Sequence, residues 1–152
     1  MMVMMVKGSL YKNMKKTSVI LFMAVVLLPA ICSGQEKEVK KVAMDFVKGA
    51  DDQNPEMLKS VLYPEAKQFV MFGPKILQSS AEEYINQIRD KKLGGNPREV
   101  TLDSFLMDGD NTAFVKLIAV GGGLRFVYHL TLFKLENSWK IMTITTKATQ
   151  AG

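Results

Sequence analysis

Histidine, cysteine and tryptophan each occur once in these 152 residues, and the first 34 positions hold no acidic residue at all. The longest strongly apolar run, Val19 to Leu28, is about half of the roughly 20 residues needed to cross a bilayer, so a retained transmembrane helix is the weaker reading of it. A single histidine (His129) and a single cysteine (Cys32) leave too few soft ligands for a dedicated transition-metal site, and no metal-type spacing appears. Paired carboxylates and a Ser-His-Asp order are also missing. Gly121-Gly122-Gly123 is not a phosphate loop, because it joins two strand-like runs and no P-loop lysine with Ser/Thr follows it. No cofactor is expected.

The formal charge of +5 is misleading. Lys7, Lys12, Lys15 and Lys16 lie in the acid-free first 34 residues, which leaves 16 basic against 15 acidic side chains in the rest. With a net charge near +1 and no Lys/Arg run interleaved with aromatics, nucleic acid is not an expected partner.

That N-terminal stretch reads as a targeting segment. From Met14 it shows Lys15-Lys16, the apolar Val19–Leu28, and then small residues up to Gly34, the three regions of a secretory signal peptide. Cleavage is expected between Gly34 and Gln35, with secretion or delivery to the periplasm. Residues 1–13 read as an upstream extension before the start at Met14. The alternative, a lipid-bearing Cys32, is disfavoured by the bulky Ile31 just before it. A chain cut after Gly34 has no cysteine, which excludes disulfides and thiolate chemistry together.

Residues 35–152 make one domain of ordinary size. Val39, Val42, Ala43, Phe46, Val47 and Ala50 recur at helical spacing over Gln35 to Ala50. Asn54-Pro55 opens a short second helix with a capping side chain and proline at the first turn, and Tyr63-Pro64 is expected to close it. Residues 66–78 read as a short hairpin around Gly73-Pro74. Ser80 with Glu83 forms a capping box for a third helix, expected to stop at Gly94-Gly95. Four long strands follow: 99–107, a run from Asn111, a run from Leu124, and a last one ending near Lys147. They are joined at Asp108-Gly109, the glycine triplet and Glu136-Asn137. Helices set before an antiparallel sheet give an α+β fold: three N-terminal helices against a curved antiparallel sheet of four long strands plus the short hairpin.

The helix opened by Asn54-Pro55, the ending Leu62-Tyr63-Pro64, and Leu132-Phe133-Lys134-Leu135 before Trp139-Lys140-Ile141 together resemble the nuclear transport factor 2-like superfamily, the cone fold of SnoaL-like and ketosteroid isomerase-like proteins. Within it, the chain is most similar to the small secreted bacterial proteins labelled putative lumazine-binding. The resemblance spans about Glu38 to Lys147. It implies a cystatin-like cone with a pocket at the wide end, but no particular reaction, since the superfamily holds isomerases, hydrolases, cyclases and binders alike. Where related sequences often place an acidic residue and then an aromatic in the third long strand, this chain has Tyr128-His129, so the pattern supplies no acid there.

Both sheet faces look apolar. Phe126, Tyr128, Leu130 and Leu132 alternate with Val127, His129, Thr131 and Phe133, and Trp139 and Ile141 oppose Met142 and Ile144. Helices cover one face only, so a homodimer through the outer face is expected. The candidate proton carriers are Asp103 and His129, each with a plainer reading: an outward edge charge for Asp103, a hydrogen-bonded structural residue for His129. Arg125 is read either as an anion-binding group or as an exposed strand end. Tyr63, Tyr84, Tyr128 and Trp139 are the candidate ligand-binding aromatics, with core packing as their alternative. Two functions stand side by side: a small-molecule binder with an apolar or aromatic ligand in the cone, and a cofactor-independent isomerase, cyclase or hydratase working through Asp103 or His129.

Overall fold

The apolar stripe at helical spacing lands where a core requires it. In a computed structural model that describes residues 34–152, helix α1 covers residues 34–51 and buries Val39, Ala43, Phe46, Val47 and Ala50. Glu38–Gly152 form one compact unit. The expected upstream extension, nearly all of the expected signal peptide, and Cys32 fall on residues 1–33, outside the described residues.

Asn54 caps α2 (Pro55–Val61), its side chain accepting from the Met57 N–H at 3.0 Å. The expected close of this helix at Tyr63-Pro64 falls earlier. The chain turns extended at Leu62, and both residues belong to strand β1 (Leu62–Phe72). Proline is tolerated there because it stands at the start of the strand, ahead of the regular pairing that resumes at Lys67. Strand β2 (Lys75–Ser80) returns antiparallel to β1, so the expected short hairpin is longer than residues 66–78.

Helix α3 (Ala81–Arg89) carries the capping box: the Ser80 hydroxyl accepts from the Glu83 N–H, and the Glu83 carboxylate accepts from the Ser80 N–H. It ends at Arg89 rather than at Gly94-Gly95, because Lys91 adopts a left-handed conformation (φ 57°) first. The meander then runs through β3 (Glu99–Asp108), β4 (Thr112–Gly121), β5 (Leu124–Leu135) and β6 (Ser138–Gln150).

All six strands form one curved open sheet in the order β2-β1-β6-β5-β4-β3. It is not purely antiparallel, since β1 lies parallel to β6. Hairpin residues cannot make this pairing visible from their own pattern: it joins positions some 75 apart, Val70 to Thr146 for example. One face of the sheet, with Ala113, Val115, Leu117, Ala119, Tyr128, Leu130 and Leu132, packs on the helices in a single core.

Two β-bulges alter the alternation. On β6 the partners step from Thr131↔Thr143 to Leu132↔Ile141, so Met142 is the extra residue. Ile144 therefore joins Trp139 and Ile141 on the core face, where strict alternation sets it opposite them, and Thr146 and Ala148 follow it inside. On β3 the step is from Leu102 to Ser104, which leaves Asp103 as the extra residue.

Candidate functional site

The helical face of the sheet leaves a cavity of about 240 Å³ at its open end, between the C-terminus of α1, the segment after α3 and the β4–β5 turn. Its walls are mostly apolar: Val70, Leu93, Leu124 and Phe126, with Tyr84 and Tyr128. Polar groups enter from few places, namely Asp51, Gln68, Asn96, Arg98 and Thr146.

Asp51 is the last residue of α1, where a negative side chain meets the negative end of the helix dipole. That local conflict is resolved by Arg98. The Nε of Arg98 donates to Asp51 Oδ1 at 2.6 Å, Nη2 lies 2.6 Å from the same oxygen, and the Arg98 backbone N–H reaches Oδ2 at 3.2 Å. Both side chains are only 10% exposed. The segment carrying Arg98 is stitched to the helix end: Gly95 N–H donates to Ala50 O and Gln53 Nε2 to Leu93 O. Gly94 (φ +75°) is required there, because a Cβ at this position would stand 2.0 Å from Ala50 O. Gly121 plays a similar part from the sheet side, since its Cβ would press on Arg98 Cγ and Pro97 O.

Arg98 also donates through Nη1 to the Tyr128 hydroxyl, and its guanidinium lies 5.1 Å from the Phe126 ring centre and 5.7 Å from that of Tyr128. Phe126 and Tyr128 stack at 6.1 Å, and Phe46 meets Tyr128 edge-on at 5.7 Å and Tyr84 at 5.9 Å. Burial pushes both the Tyr84 and the Tyr128 phenol above the usual tyrosine range, with Arg98 pulling in the other direction. Both are therefore neutral hydroxyls. Burial disfavours the Arg98 charge, but Tyr128 and Asp51 more than offset it and raise its pKa.

Of the aromatic candidates, Tyr84 and Tyr128 line this cavity. Tyr63 does not. It borders a separate groove with Pro64, Ile85 and Arg89 between α2 and α3. Trp139 sits in the core, 1% exposed, and its Nε1–H has no partner among the described residues. Asp103 and His129 are brought near one another, but on the outer face. Asp103 pairs with Lys116 at 2.9 Å, and Lys116 is the cross-strand neighbour of the exposed His129. Arg125 is exposed near the start of β5.

Asp51, Arg98, Gln68 and Thr146 were not anticipated as site residues. The available signals were an aspartate at the wrong end of a helix and an arginine just after Gly94-Gly95-Asn96-Pro97. Among the described residues, no three His, Cys, Asp or Glu side chains gather to hold a metal. No helix among them is long and apolar enough to cross a membrane.

A helix-lined curved sheet with a cavity at its open end is the nuclear transport factor 2-like fold, and solved structures agree. An NTF2-like protein of unknown function from Silicibacter pomeroyi superposes with a TM-score of 0.69 at 17% identity, over 78% of this chain and 98% of that one. One from Shewanella baltica gives 0.70 at 14%, over 78% and 97%. A cystatin-like fold protein from Burkholderia xenovorans gives 0.61 at 13%, over 76% and 92%. At these identities the likeness shows the fold alone. The family is shown by sequence: residues 34–145 match the family described as "Putative lumazine-binding", and the chain belongs to it. No curated protein sequence matches the chain.

Proposed function

We propose that this protein is exported by its N-terminal signal peptide, cut after Gly34, and binds a small, mostly apolar or aromatic molecule in the cone without catalysing a reaction on it. The observation that carries the reading is the cavity itself: about 240 Å³, aromatic-walled, with a buried Arg98–Asp51 pair at its rim. Its size, just below the roughly 300–1,000 Å³ of drug-sized sites, suits a molecule of one or two rings. The family's description points the same way and makes lumazine the first probe.

Asp103 and His129, on which an isomerase, cyclase or hydratase would draw, stand on the opposite face of the sheet from the cavity. Asp51, the carboxylate in the cavity wall, is engaged by Arg98 on both oxygens. Binding is therefore favoured over proton transfer.

We further propose that the protein is a homodimer through the outer face of the sheet. Leu106, Phe114, Val120 and Phe133 are exposed there, with the half-buried Ile118 and Val127 beside them and the Lys116–Asp103 pair and His129 among them, and a second copy would cover these apolar side chains. Native mass spectrometry of residues 35–152, isolated from their own cell envelope, tests both parts. A dimer carrying a reproducible bound mass, displaceable by lumazine or by another small aromatic, is the expected result. A species that stays empty and takes up no small aromatic overturns the binding reading, and a monomer overturns the dimer.

A further inference from the structure

We propose that the cone selects an uncharged, planar molecule bearing a carbonyl-type oxygen, and that the Asp51–Arg98 pair serves to aim the Tyr128 hydroxyl proton at that oxygen rather than to bind an anion. The inference deepens the binding reading and rests on it.

A buried arginine in a small-molecule cavity ordinarily suggests a carboxylate or phosphate ligand. Here its charge is already matched. Asp51 is as sequestered as Arg98 and takes two guanidinium contacts at 2.6 Å and one backbone N–H at 3.2 Å. The pair is neutral as a unit, so an anionic ligand would add an uncompensated charge to an apolar chamber, where such a charge is heavily penalised.

Tyr128 supplies the alternative. A guanidinium can only donate, so in the Arg98 Nη1–Tyr128 hydroxyl bond the phenol oxygen is the acceptor and its hydrogen is left to point elsewhere. No bond donated by it is found among the described residues; the Tyr128 ring is flanked by those of Phe46 and Phe126, and the Tyr84 phenol stands close by. Tyr128 and Tyr84 both line the cavity, and the free hydroxyl proton is available to a ligand there. A hydroxyl that accepts from a cation is a stronger donor than a free one. Burial keeps this phenol protonated across the physiological range. The flat stacked faces of Phe126 and Tyr128 and the apolar walls call for a ring to lie beside them. A second polar handle is Gln68, buried in the cavity wall, whose Oε1 accepts from Ser79 at 3.5 Å while no bond donated by its amide is found among the described residues.

The test is a charge-matched pair of probes of nearly equal shape: quinoline-2-carboxamide against quinoline-2-carboxylate, and 2-naphthamide against 2-naphthoate. Binding to the purified protein at pH 7 is measured by calorimetry and by saturation-transfer NMR. The expected result is that each amide binds at least about tenfold more tightly than its carboxylate, and that Tyr128→Phe removes most of the amide's advantage. Thermal melting is used to confirm that the variant is folded; if it is not, the wild-type amide-to-carboxylate ratio decides alone. Equal or tighter binding of the carboxylates overturns the inference and leaves the cavity as a ligand site. Failure of all four probes to bind overturns the cavity reading and this inference with it.

Discussion

Asp51 and Arg98, 47 residues apart in the chain, hold one another at 2.6 Å in a wall where each is nine-tenths sequestered. Breaking such a pair costs more than it contributes, because the survivor is left buried and charged. Asp51→Asn is expected to lower stability by about 3 kcal/mol, read from the midpoint of urea unfolding. The double substitution Asp51→Leu with Arg98→Met should recover most of that loss, since neither charge then remains.

Gly94 and Gly73 both have positive φ, and they separate two costs that are usually confounded. An added methyl at Gly73 meets nothing, so Gly73→Ala should cost only the left-handed backbone penalty of about 1 kcal/mol. At Gly94 the same methyl would stand 2.0 Å from Ala50 O, and about 3 kcal/mol or more is expected. Thermal melts of the two single variants give the comparison directly.

Alkaline pH should destabilise the protein through its buried phenols. Folded-state pKa values of Tyr84 and Tyr128 lie above the unfolded value of about 10. Above that pH the unfolded chain therefore holds fewer protons than the folded one, and stability falls as pH rises. Between pH 10 and 11.5, Tyr84→Phe and Tyr128→Phe should each show a shallower decline than the wild type in denaturant melts.

The capping box gives the opposite slope at the acid end. The Ser80 N–H holds the Glu83 carboxylate below its usual range. Its contribution is complete above the unfolded pKa of about 4.3 and is lost as pH falls through the lower folded value. Ser80→Ala should cost about 1 kcal/mol at neutral pH. Glu83→Gln should flatten the acid limb of the stability curve below about pH 5.

A charge placed in the outer face tests the proposed homodimer. Phe114→Glu puts a carboxylate beside Leu106 and Thr131, its cross-strand neighbours. Light scattering after size exclusion should show a monomer, with cavity binding retained.

How far the sequence could be read depended on how local each signal was. Caps at Asn54 and Ser80, the stripe on α1 and the turn at Asp108-Gly109 are all decided within a few residues, and they stand where periodicity and turn chemistry put them. The parallel partnership of β1 with β6 is long-range and leaves no local trace. The bulge at Met142 defeated strict alternation, so Ile144 and Thr146 were not legible as inward residues. The cavity was legible by its tyrosines only. Asp51, Asn96 and Arg98 come from a helix terminus and an irregular segment, where hydrophobic pattern carries no information, while Gln68 and Thr146 are polar side chains on the inner face of β1 and β6. His129 drew attention as the single histidine and Asp103 as a carboxylate inside a predicted strand, and neither signal says which face the residue occupies.

The parallel β1–β6 pairing also sets an order of events. Strand β1 emerges early, yet its partner is the last strand of the chain, so its inner edge stays open until residues 141–148 have arrived. A chain of this topology spends loop-closure entropy late and folds slowly for its size. Nascent or truncated chains ending before Ser138 lack the strand that joins the β1–β2 hairpin to the meander, and they should behave as two unjoined fragments exposing sticky edges.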